Sequence, residues 1–261
     1  MSRVLVTGGA SGLGAALANR YAARGDQVLV TDLAESADVP AGAFYRQLNV
    51  TSTSDWAGAV EHAKAQLGGI DILINNAGVA SGGRIDRTDE AHWRRTFEVN
   101  VFGAVNGCQA VTPLFKQQRG GHIINVASLA GLVHPPSMSS YTAGKAAVVA
   151  LSESLRYELA GWNIDVSVVC PSFFRSNLAA SIVSKDELAG QIATKLINRA
   201  PLGAEDIAAR VVKAADARKF VILPDRQARI AYLTKRFARP LYDRQMTSMG
   251  AKLHRAEESG Q

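Results

Sequence analysis

The stretch Val4-Leu5-Val6-Thr7-Gly8-Gly9-Ala10-Ser11-Gly12-Leu13-Gly14 decides the fold of this chain. Its three leading apolar residues are typical of a short buried strand, and the glycines that follow allow a tight turn into a helix. Backbone amides in such a turn and at a helix N-terminus can approach a pyrophosphate. The candidate phosphate-binding residues are Gly8, Ser11, Gly12, Leu13 and Gly14. Taken alone, the turn could equally be a plain strand–helix connection.

Short apolar runs alternate with longer helical patterns along the rest of the chain. The predicted strands are residues 4–6, 27–31, 44–48, 72–74, 122–126, 164–169 and 220–223. The predicted helices are residues 12–24, 55–67, 90–117, 141–162, 185–198 and 204–215. The strands are mostly continuous β-branched runs, which is typical of strands buried on both faces. We therefore predict an α/β protein: one doubly wound Rossmann fold with a seven-stranded parallel sheet flanked by helices on both faces.

Composition narrows the class of protein. The hydrophobic fraction of 47% and the charged fraction of 20% are those of an ordinary soluble globular protein. No signal peptide or spanning segment is evident, so we expect a cytoplasmic location. The two cysteines, Cys108 and Cys170, are expected to be buried free thiols, and no metal site is predicted.

The net charge of +6 is unevenly placed. The ten basic and four acidic residues between positions 218 and 261 account for all of it, which leaves the first 217 residues neutral. The basic character therefore belongs to a C-terminal tail, and a nucleic-acid-binding function is not expected.

An acid, Asp32, ends the second predicted strand. A carboxylate there can accept hydrogen bonds from the ribose hydroxyls of an adenine dinucleotide and would repel a 2′-phosphate. No arginine stands at Ala10, Ser11, Leu33 or Ala34 to neutralise such a phosphate. This pattern favours NAD over NADP, although a strand-end aspartate at a turn is the plainer alternative.

A second informative stretch lies in the predicted helix after Ser128. Tyr141 and Lys145 are four residues apart and therefore share a helix face. A lysine beside a tyrosine favours the phenolate, so we expect the pKa of Tyr141 to be lowered and its side chain to act as an acid/base.

Together these motifs resemble those of the short-chain dehydrogenase/reductase family, in its order and spacing, across roughly residues 2–223. The matching pieces are Thr7-Gly8-x-x-x-Gly12-x-Gly14, Asp32, Asn75-Asn76-Ala77-Gly78, Asn100, Ser128, Tyr141-x-x-x-Lys145 and Pro171. The resemblance implies that Ser128 hydrogen-bonds the substrate oxygen and that Tyr141 exchanges a proton with it. Lys145 would lower the pKa of that tyrosine and bind the nicotinamide ribose. Asn100 would hold a water in the proton relay behind Lys145.

The resemblance also assigns cofactor contacts. Asn76, Ala77 and Gly78 would pass beside the adenosine, and Pro171 with its following loop would face the nicotinamide. Three residues expected near the cofactor depart from the family pattern: Asn49 before Val50 in place of Asp, Ser172 in place of Gly, and Ser176 in place of Thr. We expect Asn49 to bind the adenine amino group through its carbonyl oxygen and Ser176 to keep a hydroxyl near the carboxamide. Phe173 and Phe174 either wall the nicotinamide pocket or fill the core.

The resulting functional expectation is an oxidoreductase that transfers a hydride between NAD(H) and a neutral, largely apolar secondary alcohol or ketone. The wall between the catalytic residues, 129–138, contains no Lys or Arg, and a lid is expected at about 177–200. His134 in that wall is either a substrate contact or, more plainly, a solvent-exposed loop residue. The alternatives are an NADP(H)-dependent 3-oxoacyl or carbonyl reductase and a non-catalytic dinucleotide-sensing protein. Family resemblance implies a homo-dimer or homo-tetramer through helices 90–117 and 141–162.

We expect residues 1–224 to form the catalytic domain and residues 225–261 to form a basic, helical extension. Ile230, Leu233, Phe237 and Leu241 recur at helical spacing among basic residues, in a helix interrupted near Pro240. Docking of this helix on the body or on a second subunit is favoured over contact with a membrane surface.

Overall fold

The computed structural model describes residues 1–176 and 186–258, with backbone only for 187–189 and 256–258. Its strands are β1 Arg3–Thr7, β2 Gln27–Asp32, β3 Phe44–Gln47, β4 Ile72–Asn75, β5 Gly121–Val126, β6 Ile164–Val169 and β7 Val221–Ile222. They form one parallel sheet in the order β3-β2-β1-β4-β5-β6-β7. The predicted fold class is confirmed. The strand order reverses between β1 and β4, so the connections that follow these two paired strands lead to opposite faces and leave a crevice at the carboxyl ends of the strands.

Helices cover both faces of the sheet. They are α1 Gly12–Ala23, α2 Thr53–Leu67, α3 Glu90–Phe97, α4 Gly103–Gln118, α5 Ala130–Val133, α6 Ser139–Leu159, α7 Glu187–Asn198, α8 Ala204–Asp216, α9 Arg226–Phe237 and α10 Arg239–Glu258. Short 3₁₀ turns lie at Ile85–Arg87 and Ala160–Trp162. One apolar cluster packs α1 and α8 against the sheet, and a second packs α2 and α4 against the other face. This layered burial follows from the continuous apolar strands, which need cover on both sides.

The predicted helix 90–117 is helical throughout but changes its hydrogen bonding midway. A π-helical turn, Glu98–Phe102, joins α3 to α4. A π-turn inserts one extra residue per turn and shifts the direction in which the following side chains point. Gly103 follows at once, where a Cβ would lie 2.8 Å from a methyl carbon of Val50.

The expected lid falls partly outside the described residues. Positions 177–185, which include Leu178, Ile182 and Val183, are not described. The described part begins at Asp186, which is 3% exposed and accepts hydrogen bonds from the Arg84 main-chain and Nε nitrogens at 3.2 and 2.7 Å. The helix α7 then ends at Asn198 as predicted.

The C-terminal tail is helical with an interruption near Pro240, as predicted, and so forms two helices. The break lies at Ala238, two residues before Pro240. Pro240 sits in the first turn of α10, where the missing N–H would have no intrahelical acceptor. None of the helices in the described part of the chain combines the length and hydropathy that crossing a membrane requires.

Candidate active site

The glycine-rich turn is held by side chains at the ends of β1 and β4. Thr7 Oγ1 accepts hydrogen bonds from the main-chain nitrogens of Asn76 and Ala77, both at 3.0 Å. The Asn76 side chain donates to the Thr7 and Gly8 carbonyl oxygens at 2.9 and 3.0 Å. A Cβ at Gly14 would lie 2.1 Å from the Gly8 oxygen, so only glycine fits there. Asn76 and Ala77 therefore shape the turn.

The first turn of α1 is left open for an anion. Ser11, at the N-cap, makes no side-chain hydrogen bond to the helix, and no acid stands in the first turn. The amides of Gly12, Leu13 and Gly14 lie where helical amides lack intrahelical acceptors. Gly12 has φ +55°, and a Cβ there would meet only Ser176 Cβ, 3.9 Å away. Ser176 thus lies opposite the turn.

Asp32 lies over the same turn. Its Oδ2 accepts a hydrogen bond from the Ala10 main-chain nitrogen at 3.0 Å, and its Oδ1 accepts from the Ala34 nitrogen at 3.4 Å. On β3, the Tyr45 hydroxyl donates to the Ala34 oxygen at 2.5 Å and Gln47 donates to the Leu33 oxygen at 3.0 Å. The carboxylate is therefore fixed at the strand end with acceptor capacity remaining.

Asn49 differs from its expected role. Its Oδ1 accepts two hydrogen bonds from Thr51, from the main-chain nitrogen at 3.1 Å and the hydroxyl at 2.9 Å. The carbonyl oxygen that we assigned to the adenine amino group is thus committed to a local turn. The neighbouring Val50 carbonyl accepts from Trp56 Nε1 and Asn106 Nδ2, both at 3.0 Å. These residues support the strand end through the body of the protein.

The catalytic residues expected from sequence converge at the carboxyl ends of β5 and β6. Ser128 follows β5, and its side chain lies close enough to the Tyr141 hydroxyl on α6 to lower the pKa of that hydroxyl. Lys145 Nζ lies 5.8 Å from the Tyr141 ring centroid and donates to the Val126 oxygen at 3.0 Å. Lys145 is only 5% exposed.

The pKa of Tyr141 is shifted opposite to our expectation. Burial raises it from the ordinary value of 10.0, because a phenolate loses hydration there, and the Ser128 side chain offsets this only in part. Burial also lowers the pKa of Lys145 to about 8. Sequence spacing revealed the pair but not the depth at which it is buried. In the protein alone, burial is the largest influence on the pKa of both side chains.

Asn100 is brought to this centre by the π-helical turn. Its Oδ1 accepts from the Val79 nitrogen at 2.8 Å, and its Nδ2 donates to the Val79 oxygen at 3.0 Å. A Cβ at Gly78 would lie 2.8 Å from Asn100 Oδ1 and 3.5 Å from Lys145 Nζ. The side chain of Asn100 therefore fixes the loop after β4, and its role in holding a relay water stays a prediction.

A cluster of hydroxyls sets the position of α6 beside Tyr141. Ser140 Oγ lies 2.9 Å from Ser81 Oγ and 3.1 Å from His92 Nε2. Thr96 on α3 donates to Ser81 Oγ at 3.2 Å. These contacts join the loop after β4, α3 and α6, and they were not predicted because the four residues are far apart in sequence.

The loop after β6 separates the two phenylalanines. Phe174 packs against the core cluster of α1 and α8, whereas Phe173 is 38% exposed. Pro171 accepts a hydrogen bond from the Leu129 nitrogen at 2.9 Å, which ties the loop to the segment after Ser128. Of the two expected roles, core filling describes Phe174.

Two residues of the tail also reach the site, and the sequence analysis missed them. Asp225 caps α9 through the Ala228 nitrogen and accepts from the Ser172 main chain and hydroxyl at 2.9 and 2.7 Å. Lys235 donates to the Leu132 oxygen at 2.6 Å and to His134 Nδ1 at 2.8 Å. His134 is exposed but bound to the tail. A helix cap at Asp225 could be predicted from the sequence. Its contact with Ser172, 53 residues away, and the contact of Lys235 with His134, about 100 residues away, could not.

Both cysteines are buried free thiols, as predicted. Burial raises the pKa of Cys108 and of Cys170 to about 12, which keeps both protonated and unreactive. In the part of the chain that the structure describes, no three His, Cys, Asp or Glu side chains gather as metal ligands.

Residues 2–187 match the family model described as short chain dehydrogenase. The chain belongs to the short-chain dehydrogenase/reductase family. It is therefore an oxidoreductase that uses a nicotinamide dinucleotide on a CH–OH group.

Relatives and solved structures agree with this assignment. This dehydrogenase is 35% identical to 2-(R)-hydroxypropyl-CoM dehydrogenase of Xanthobacter autotrophicus, over 75% of this chain and 84% of the relative. It is 32% identical to a 3-oxoacyl-(acyl-carrier-protein) reductase of Thermotoga maritima, over 76% and 82%. A short-chain dehydrogenase/reductase from Burkholderia phymatum, solved in complex with NAD, superposes with a TM-score of 0.84 at 26% identity and covers 91% of this chain and 94% of its own.

Proposed function

We propose that this dehydrogenase transfers a hydride between NAD(H) and a neutral, largely apolar secondary alcohol or ketone. The observation that carries the proposal is the convergence of Ser128 and Tyr141 beside the buried Lys145, whose Nζ lies 5.8 Å from the Tyr141 ring centroid. Alcohol oxidation needs a base at the hydroxyl proton and a donor that steadies the developing charge on the oxygen. A dinucleotide sensor would need neither.

The residues present fit a dinucleotide. The uncapped N-terminus of α1 suits the pyrophosphate, and Gly14 keeps the turn free of a Cβ that would strike the Gly8 oxygen. Asp32 offers an acceptor to ribose hydroxyls. When bound, the nicotinamide supplies the carbon that accepts or gives the hydride. Lys145 would hold the nicotinamide ribose, and Ser176 would lie near the carboxamide.

In the proposed mechanism Tyr141 takes the hydroxyl proton of an alcohol and returns it to a ketone in the reverse direction. Ser128 donates to the same oxygen. Because burial raises the pKa of Tyr141, its phenolate requires further positive charge nearby. Protonated Lys145 and an oxidised nicotinamide ring would both provide it.

NAD is proposed over NADP because Asp32 stands where a 2′-phosphate would lie. The NAD complex of the Burkholderia phymatum structure supports this choice. The Xanthobacter relative is named for a secondary alcohol, which supports a secondary alcohol as the reacting group. Lys235 adds a cation behind the wall 129–138, but it is engaged by Leu132 and His134, so the wall still favours a neutral substrate.

The cofactor preference is tested by titrating NADH and NADPH, read by nicotinamide fluorescence, with the parent protein and Asp32→Asn. We expect tighter NADH binding by the parent protein. In Asp32→Asn we expect the preference to shrink roughly tenfold, the order expected for a charge-assisted hydrogen bond and a lost like-charge repulsion. Asp165→Asn, on the far edge of the sheet, is the matched control. Tighter NADPH binding by the parent protein would favour the NADP-dependent reductase instead.

The substrate class is tested by a screen of secondary alcohols and ketones with both dinucleotides, read at the nicotinamide absorbance. We expect turnover of neutral apolar secondary alcohols. Turnover confined to carboxylates or phosphates would contradict the apolar wall.

We also propose a homo-dimer or homo-tetramer. Phe102, Tyr157 and Trp162 lie on or next to α4 and α6 and are 49%, 67% and 41% exposed. Large apolar side chains at such exposure on two neighbouring helices are typical of a subunit interface.

A further inference from the structure

The tail helix α9 is fixed to the body through one of its faces. Asp225 anchors its start to Ser172, and Lys235, near its end, is bound to Leu132 and His134. Ala228 between them is fully buried. Because the helix is held at both ends, the direction of its opposite face is set by the fold.

That opposite face is apolar and exposed. Ile230, Leu233 and Phe237 are 53%, 50% and 77% exposed, and their spacings of three and four place them on one side of α9. Leu241 in the first turn of α10 is 62% exposed. The helix is thus docked on the body of its own chain, one of the two sites favoured from sequence, but through the other face, and the apolar stripe is left uncovered.

The border of the stripe is basic. Arg226, Arg229 and Arg236 on α9 are exposed, and α9 contains no acidic residue. Asp225, at the N-cap, is buried, and Asp243 of α10 is paired with Arg239. An apolar stripe edged by arginines needs a partner that is both apolar and anionic.

A second copy of the chain fits this requirement poorly. In a two-fold contact of the stripe with itself, the arginines of one copy would face those of the other, and like charges at close range repel. The first 217 residues carry no net charge that would favour a contact with the arginines. The surface of an anionic bilayer supplies acyl chains for the stripe and phosphate groups for the arginines.

We propose that α9, together with Leu241, is an interfacial anchor that binds the surface of an anionic lipid bilayer. The helix would lie in the plane of the interface, with Phe237 and its apolar neighbours below the headgroups. Because Lys235 joins α9 to the wall between Ser128 and Tyr141, the bound enzyme would hold that side of its cleft close to the bilayer.

The test is co-sedimentation of the full-length protein with vesicles of phosphatidylcholine alone or mixed with phosphatidylglycerol. We expect binding to the mixed vesicles, weak binding to the neutral ones, and release at high salt. Arg226→Gln and Arg236→Gln should each lower the partition coefficient about fivefold. Leu233→Ser combined with Phe237→Ser should abolish binding.

Matched controls separate the anchor from general surface effects. Lys213→Gln removes an exposed charge on α8, and Ile85→Ser removes an apolar side chain that is 66% exposed elsewhere. Neither should change sedimentation, and circular dichroism should show all variants folded. Equal binding to both kinds of vesicle, or binding to neither, would overturn the proposal. A fall in molar mass by light scattering for the Leu233/Phe237 variant, without vesicle binding by the parent protein, would assign the face to a second copy instead.

Discussion

Titratable side chains are buried at both ends of the parallel strands, the amino edge and the carboxyl edge of the sheet, but their hydrogen-bond partners differ. At the amino edge, His122 is 2% exposed and its Nε2 lies 2.8 Å from Ser167 Oγ, which donates to the Lys219 oxygen at 2.8 Å. At the carboxyl edge, Lys145 is equally buried but donates to the Val126 oxygen alone among the described residues. The Nε2 atom of His122 and the hydroxyl of Ser167 are both engaged in hydrogen bonds, whereas the Lys145 ammonium has donors left over.

The pKa values follow from this difference. Burial lowers the pKa of His122 to about 3, so the imidazole stays neutral at any ordinary pH. Burial lowers the pKa of Lys145 only to about 8, where a small change in nearby charge alters its protonation. Burial that keeps His122 neutral thus gives a structural group, whereas burial of Lys145 with spare donors gives a group suited to proton chemistry.

The largest effect is expected for Tyr141→Phe at the carboxyl edge. Loss of the hydroxyl removes the acid/base, so kcat should fall on the order of a hundred- to ten-thousand-fold. The ring remains, so dinucleotide binding and the free energy of unfolding should change little. Steady-state kinetics, fluorescence titration of NADH and urea unfolding measure the three quantities.

Tyr157→Phe on the same helix is the control for Tyr141→Phe, because its exposed hydroxyl lies outside the proposed site. It should retain parental kcat. Turnover by Tyr141→Phe at the parental rate would show that another group moves the proton. The buried groups at the carboxyl edge would then have no shown role in proton transfer.

The next largest effect is expected at the amino edge, on the free energy of unfolding at acid pH. His122 has an ordinary pKa of 6.5 and about 3 when folded, so below pH 6.5 the unfolded chain takes up a proton that the folded chain does not. The free energy of unfolding should therefore fall as the pH drops from 6.5 to 3, by about 4 kcal/mol from this residue. His122→Gln keeps a donor for Ser167 but cannot titrate.

Urea unfolding of both proteins across this pH range measures the difference, in which all other titrating groups cancel. The parent protein should lose stability more steeply than His122→Gln, while its kcat near neutral pH should match that of the variant. Parallel stability curves would mean that His122 is charged or solvated in the folded protein.

Much of both edges could be predicted from sequence because it depends on local patterns. Continuous apolar runs predicted all seven strands to within one or two residues at each end, since strands buried on both faces have little other composition. Spacing also brought Ser128, Tyr141 and Lys145 together correctly. These signals are local: strand, turn and helix each carry their own part of the motif.

The features that the sequence did not predict are short elements or properties of the whole fold, and these leave no local pattern in the sequence. The helix α5 has four residues, too few for a periodic signal. No motif spacing indicated the π-helical turn at Asn100 or the Thr51 contacts of Asn49. The pKa of Tyr141 had the wrong expected direction because burial, a property of the whole fold, is the largest influence on it.

The smallest expected effect tests whether burial of the Lys145 ammonium at the carboxyl edge lowers the free energy of unfolding. Lys145 has an ordinary pKa of 10.5 and about 8 when folded, so between these values the unfolded chain holds the extra proton and stability rises with pH. Below pH 8 the full penalty applies, about 3 kcal/mol, while the Val126 hydrogen bond returns about 1 kcal/mol of it. Lys145→Met should therefore be inactive yet about 2 kcal/mol more stable at pH 7, a gain that vanishes near pH 10.5. Urea unfolding at both pH values measures this, and a gain independent of pH would indicate better packing by methionine rather than relief of a buried charge.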